Sequence, residues 1–208
     1  MPTNLDPIVV WTASLLGGYL LGSIPFGVIA TRLGGAGDIR QVGSGNIGAT
    51  NVLRTGRREL ALITLVGDAG KGALAALLAG ALFGPMAAAL AAGAAFLGHL
   101  FPVWLKFRGG KGVAIFFGAM LAVSWPAGIA AGLTWIAMAV LFRISSLAAL
   151  TAAAFSPLFV YAVDPGGEDK IVRVYLAMFM ALLIFIRHHE NIRRLLSGHE
   201  PHIGGSRT

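Results

Sequence analysis

Leu60-Ala61-Leu62-Ile63-Thr64-Leu65-Val66-Gly67-Asp68-Ala69-Gly70-Lys71-Gly72-Ala73-Leu74-Ala75-Ala76-Leu77-Leu78-Ala79-Gly80-Ala81-Leu82-Phe83 is the stretch whose reading decides the fold. It exceeds the roughly 20 mainly apolar residues that a helix needs to cross the hydrocarbon. Its only charges, Asp68 and Lys71, are spaced i and i+3, so a helix carries both on one face, where they neutralise each other. Ionisable groups at membrane depth are costly and turn into the bundle. The spacing fits a pair that fixes the helix near the interface as well as one with a catalytic role.

Working outward, the rest of the chain reads the same way. Of 208 residues 56% are hydrophobic and only 12% charged, outside the range of soluble domains. Apolar runs at 8–33, 60–83, 86–105, 113–123, 127–142, 147–163 and 172–186 predict an all-α integral membrane protein with seven transmembrane helices. The fourth run is short, so it is read as a half-helix or as starting among the polar residues before it. No repeat or linker divides the chain, and one membrane-embedded domain, 1–208, is expected. The first basic residue is Arg32, and no small-residue cleavage site follows the first run, so that run is expected to be retained. There is no cysteine, which removes disulfides and thiolate chemistry.

Charge sets the orientation. With the N-terminus outside, every Lys and Arg except Lys170 and Arg173, from Arg32 to Arg207, falls on or near one side. That is the bias of a cytoplasmic face. The opposite loop, Asp164-Pro165-Gly166-Gly167-Glu168-Asp169, is acidic and turn-rich. The net charge of +7 is scattered between apolar runs, which excludes a nucleic-acid partner and leaves the lipid bilayer. Small residues recur every four positions at Ser14, Gly18 and Gly22 and at Gly72, Ala76, Gly80 and Gly84. Such spacing lets helix backbones approach closely.

Polar, glycine-rich stretches interrupt this pattern. Residues 43–54 present Gly43, Ser44, Gly45, Asn46, Thr50, Asn51 and Arg54, whose backbone N–H groups, hydroxyls, amides and guanidinium suit phosphate or carboxylate. The Gly43-x-Gly45-x-x-Gly48 spacing matches a dinucleotide fingerprint, but a membrane run precedes it where a strand is required. A second stretch, Lys106-Phe107-Arg108-Gly109-Gly110-Lys111-Gly112, repeats the anion logic at the start of an apolar run. For Lys106 and Arg108 a positive flank is an equal reading. His99, beside Pro102, reads as a proton carrier or as a hydrogen-bonded packing residue. The last run ends Arg187-His188-His189-Glu190-Asn191-Ile192-Arg193-Arg194, with His188, Asn191 and Arg194 on one helical stripe. A zinc site lacks its second ligand set, so no metal and no cofactor are expected. No Gly-x-Ser-x-Gly elbow occurs, and no His is followed five residues later by Asp, so the chemistry must start from an activated substrate.

Taken together, Gly22-Ser23-Ile24-Pro25-Phe26-Gly27, the 44–54 loop, Asp68-x-x-Lys71-Gly72, Gly98-His99, Gly109-Gly110-Lys111-Gly112-Val113-Ala114, Arg143-Ile144-Ser145-Ser146-Leu147, and Arg187-His188 through Asn191 and Arg194 to Gly198-x-Glu200 resemble the bacterial acyl-phosphate:glycerol-3-phosphate acyltransferases, the PlsY family. The resemblance spans nearly the whole chain. It implies a seven-helix enzyme of the bacterial inner membrane, with its site at the cytoplasmic face. Such an enzyme transfers an acyl group from acyl phosphate to the first hydroxyl of glycerol 3-phosphate, giving lysophosphatidic acid and phosphate. A soluble enzyme that makes acyl phosphate is the implied functional partner. Ser44, Arg54, His188 and Asn191 match the family's essential residues, the 109–112 loop its glycerophosphate site, and Ser146 its Ser before Leu. Glu200, Asp68, Lys71 and His99 are expected to support the site. Where the family usually has Thr, this chain has Ile115.

The residues suit such a reaction: the leaving phosphate is already anionic, so the enzyme must hold two phosphates, orient the hydroxyl and stabilise the oxyanion. The proton acceptor is His188 or a phosphate oxygen of the donor itself. The rival reading is a small transporter or channel for organic phosphates, which would require polar residues reaching through the spans. Beyond Asp68 and Lys71 the spans offer almost none.

Overall fold

The structure, a computed structural model, describes residues 5–167 and 169–204; Glu168 of the acidic loop and Arg207 of the basic set lie outside them. Regular structure among the described residues is helical throughout. The chain forms two compact units, Met1–Val123 and Ser124–Thr208.

The first unit holds α1 (Pro7–Gly22), α2 (Phe26–Leu33), the single turn α3 (Ala49–Val52), α4 (Arg58–Phe83), α5 (Pro85–Leu100) and α6 (Val113–Val123). Helix α1 starts where Asp6 Oδ1 accepts the Ile8 N–H at 2.7 Å, with Pro7 in the first turn. The expected span 8–33 appears as Pro7–Leu33, with a break between α1 and α2. Pro25 brings no N–H and its ring opposes a preceding helical turn. Lys71 Nζ donates to the Ile24 carbonyl at this break, at 2.7 Å, so the interruption is covered from α4. The expected span 86–105 appears as Pro85–Leu105; within it helix α5 ends at Leu100, because Pro102 follows, and a 3-10 turn, Val103–Leu105, takes over.

Packing inverts the soluble pattern. The interior is lined by Ala92, Ala95 and Ala119, each 0% exposed, while Leu62, Leu65 and Leu77 of α4 face outward. Spacing of small residues by four marks the contacts: Cβ atoms built on Gly18 and Gly22 would strike the backbone of Ala91 and Ala95 in α5. Gly72 likewise meets Ile115, and Gly118 meets the backbone of Ala69, which joins α4 to α6. Close backbone approach is how helices gain contact where lipid offers no hydrophobic drive.

The second unit holds α7 (Trp125–Phe142), α8 (Ser145–Val163), α9 (Lys170–Arg187) and α10 (His189–Leu196). Helices α9 and α10 bend by 64° at His188. The segment after α10 returns to the α7–α8 junction, where the Ile203 N–H donates to the Arg143 carbonyl at 2.6 Å.

Among the described residues, five stretches are long and apolar enough to cross a membrane, Pro7–Leu33, Arg58–Phe83, Pro85–Leu105, Trp125–Phe142 and Ser145–Val163, and the bent α9–α10 pair makes a sixth if it is one span. Helix α6, with 11 residues, is the short fourth run. At 1.5 Å per residue it reaches only about 16 Å, half of a hydrocarbon core.

Candidate active site

The 43–54 loop is a folded element. Ile39, Ile47 and Val52 are buried to 0, 2 and 0% exposure against Val28 of α2 and Leu60 and Ala61 of α4. Asn51 ties the turns together. Its Nδ2 donates to the carbonyls of Asn46 (2.8 Å), Val42 (2.9 Å) and Ile39 (3.2 Å). Its Oδ1 accepts from the Ser44 N–H (3.1 Å), the Ser44 hydroxyl (3.3 Å) and Arg54 Nη1 (3.4 Å). The Asn51 amide, read from sequence as a phosphate donor, therefore spends its two N–H bonds inside the loop and orients Ser44 and Arg54 instead.

Further N–H groups expected to face an anion also turn inward: Gly45 donates to the Val42 carbonyl at 2.9 Å and Gly48 to Asn46 Oδ1 at 2.8 Å. What the loop presents outward is side chains, Ser44, Thr50 and Arg54, all exposed. Gly43 has φ +57°, and a Cβ there would lie 2.5 Å from Asn51 Oδ1 and 2.8 Å from Arg54 Cδ. Glycine is thus required both by the turn and by the seat of Arg54. One organiser went unnoticed in the sequence: Asp38 holds Arg40 at 2.5 Å and Arg32 at 3.0 Å. Those bonds, Arg40's first, keep its carboxyl well below the ordinary range.

The second glycine loop closes over the end of α5. Gly109 and Gly110 donate to the Leu100 and His99 carbonyls, both at 3.1 Å, and so satisfy acceptors that the helix end leaves over. Their lack of side chains is a packing need as well, since a Cβ on Gly109 would strike the His99 carbonyl and one on Gly110 the His99 ring. Gly112, at φ +87°, turns the chain into α6, and the loop sets Lys111, half-buried, just ahead of that helix. Below the loop, Asp68, Lys71 and His99 form a buried cluster in which Asp68 Oδ1 lies 2.8 Å from Lys71 Nζ and 3.5 Å from His99 Nδ1.

In the second unit Glu200 gathers three donors. Ser146 Oγ and Asn191 Nδ2 donate to Oε1 at 2.7 and 2.5 Å, and Arg194 Nε to Oε2 at 2.6 Å. Burial raises the carboxyl's pKa, but Ser146, Asn191 and Arg194 together outweigh it and leave it below its ordinary value. Of the stripe His188, Asn191 and Arg194, the two residues within α10, Asn191 and Arg194, reach one carboxylate, and His188 lies ahead of that helix at the bend. Ser146, expected to hold phosphate, directs its hydroxyl proton to Glu200.

His188 sits at the α9–α10 bend, 4% exposed, with Nδ1 2.8 Å from the Ile184 carbonyl. A carbonyl only accepts, so Nδ1 donates to it, and Nε2 is the ring nitrogen that takes a proton when the ring is neutral.

The sequence model of the family described as glycerol-3-phosphate acyltransferase matches residues 12–198. The chain belongs to the glycerol-3-phosphate acyltransferase family. A glycerol-3-phosphate acyltransferase of Caulobacter vibrioides is 67% identical over 193 residues, covering 92% of this chain and 87% of the relative. One from Cereibacter sphaeroides is 58% identical over 187 residues, covering 90% and 87%. The crystal structure of PlsY, an integral membrane glycerol 3-phosphate acyltransferase, in its glycerol 3-phosphate form superposes with a TM-score of 0.85 at 38% identity, over 93% of this chain and 96% of that one. Its lysophosphatidic acid form gives 0.84 at 36%, over 93% and 95%. With its run of apolar helices, the chain is a multi-pass membrane acyltransferase of phospholipid synthesis.

Proposed function

We propose that this acyltransferase moves a fatty acyl group from acyl phosphate to the sn-1 hydroxyl of glycerol 3-phosphate, without a cofactor. The hydroxyl oxygen attacks the acyl carbonyl carbon, the bond between that carbon and the bridging oxygen breaks, and inorganic phosphate leaves with that oxygen, giving lysophosphatidic acid. The observation that carries this reading is the attachment of Ser44 and Arg54 to one atom, Oδ1 of buried Asn51, which fixes a hydroxyl beside a guanidinium. Such a pair suits a phosphate next to a developing oxyanion. Relatives carrying the same family name and the substrate and product forms of the PlsY crystal structures support the substrate class.

In this reading Arg54 and Thr50 hold phosphate from the first loop, framed by Gly43, Gly45, Asn46 and Asn51. Lys111 and Gly112 hold glycerol 3-phosphate, on a loop whose Gly109 and Gly110 are tied to the end of α5. Asn191, set by Glu200, donates to phosphate or oxyanion, with Ser146 in the same frame. The hydroxyl proton passes to Nε2 of His188 or to an oxygen of the departing phosphate. The chain acts as one domain of seven crossings in the bacterial inner membrane, N-terminus outside, with its site at the cytoplasmic face and its donor supplied by a soluble acyl-phosphate-forming enzyme.

Donor and acceptor are tested by offering purified enzyme in lipid discs acyl phosphate, acyl-coenzyme A or acyl-carrier protein. Lysophosphatidic acid is expected from the first alone, and product from either thioester contradicts the donor assignment. Because the chain has no cysteine, Pro165→Cys and Ser197→Cys report sidedness without background. Ser197→Cys should be labelled only from the cytoplasm and Pro165→Cys only from outside; the reverse pattern refutes the orientation.

A further inference from the structure

Asp68, Lys71 and His99 have no step in the proposed reaction, yet they are among the most deeply buried polar side chains of the first unit, at 1, 3 and 3% exposure. Each also reaches a different element. Lys71 Nζ donates to the Ile24 carbonyl at the α1–α2 break (2.7 Å) and pairs with Asp68 on α4 (2.8 Å). Asp68 faces His99 Nδ1 at the end of α5 (3.5 Å). His99 in turn meets the second glycine loop twice: its carbonyl accepts the Gly110 N–H at 3.1 Å, and its ring fills the space beside Gly110. A methyl built on Gly110 would press on Nε2, with Cε1 at 2.9 Å and Cδ2 at 3.1 Å.

We propose that Asp68, Lys71 and His99 are positioning residues, a buried bracket in which the His99 ring sets how far Gly110, and with it the phosphate-holding loop at 109–112, stands from α5. The proposal rests on assigning that loop to glycerol 3-phosphate. The physical reason for such a bracket is rigidity. A glycine loop alone is conformationally permissive, and a displacement of about 1 Å at a positioning group can cost on the order of a hundredfold in rate. A ring held at one edge by a buried carboxylate is a fixed stop, and the carboxylate is held by a lysine that also covers the Pro25 break. A pair that only anchored α4 in the membrane would leave the loop indifferent to the size of residue 99.

Size compensation between residues 99 and 110 provides the test. In purified enzyme, Gly110→Ala overfills the contact and His99→Ala empties it. Each single change is expected to raise KM for glycerol 3-phosphate roughly tenfold or more, with a smaller effect on kcat. The double variant His99→Ala/Gly110→Ala should recover much of that loss, while the thermal midpoint does not track the recovery. If the raised and rescued parameter is the KM for acyl phosphate, the bracket stands and the loop's assignment to glycerol 3-phosphate falls. A double variant no better than Gly110→Ala, or Gly110→Ala indistinguishable from wild type, overturns the bracket. Should Gly110→Ala yield no folded protein, His99→Ala decides: a raised KM at an unchanged midpoint supports the bracket, and an unchanged KM overturns it.

Discussion

Asn191 Nδ2 lies 2.5 Å from Oε1 of Glu200, the oxygen that also accepts from Ser146, so the donor proposed for catalysis is set by a carboxylate nine residues away in sequence. Glu200 is ionised in this arrangement, held below its ordinary value of 4.5 by Ser146, Asn191 and Arg194 against the opposing effect of burial. A depressed carboxyl stabilises the fold at pH above its unfolded value and loses that contribution as pH falls through the folded one. The thermal midpoint of wild type should therefore fall as pH drops below about 4.5. Glu200→Gln should lower the midpoint at neutral pH and flatten that acid decline, and an unchanged acid limb would count against the hub.

Arg54→Lys keeps a charge but loses the planar fork whose Nη1 meets Asn51 Oδ1. Its kcat/KM should fall about a hundredfold or more. Turnover near wild type would show that charge alone suffices.

Asn51→Leu is expected to damage stability as well as activity. It removes the donor to the Asn46 carbonyl and one of two donors from the carbonyls of Ile39 and Val42. An unsatisfied buried group costs roughly 1–3 kcal/mol. A variant with a wild-type melting profile and only lost activity would instead place the Asn51 amide on the substrate.

His188→Gln separates the two proton acceptors. If Nε2 of His188 takes the hydroxyl proton, the pH–rate profile loses one limb in the variant. If the donor phosphate takes it, activity falls by a positioning loss with the profile shape unchanged.

Adjacent glycines in α1 test the packing. A Cβ at Gly18 would come 2.5 Å from the Ala91 carbonyl oxygen, whereas one at Gly17 meets nothing within 4 Å. Gly18→Ala should lower the thermal midpoint and Gly17→Ala should leave it unchanged or raise it, a difference of about 1–3 kcal/mol by the usual cost of overpacking. Equal behaviour would refute the α1–α5 contact.

Much of this was legible in the sequence because apolar run length and small-residue spacing map directly onto lipid crossing and helix contact. The 60–83 run became α4, Arg58–Phe83, and Gly18 and Gly22 became the α5 contact. The expected spans 8–33 and 86–105 appear as Pro7–Leu33 and Pro85–Leu105, but a hydropathy reading passes straight through Pro25 and does not show that the first divides into α1 and α2. The glycine loops were read for their chemistry, but the reason for Gly109 and Gly110 lies in their approach to His99, which only the folded chain brings beside them. Glu200's reach to Ser146, 54 residues away, and Asn51's web of carbonyls have no periodic signal. Glu200 and His99 were named from the sequence as supports of the site, but the contacts through which they and Asn51 hold their neighbours were not readable there.

The central claim is that acyl phosphate is consumed only by transfer to glycerol 3-phosphate at a site built on Ser44 and Arg54. The most direct measurement is release of inorganic phosphate from acyl phosphate by the purified enzyme, followed with and without glycerol 3-phosphate. Release that depends on glycerol 3-phosphate, matches lysophosphatidic acid mole for mole and collapses in Arg54→Lys is the predicted result. Movement of organic phosphate across a vesicle membrane with no such release would contradict the account.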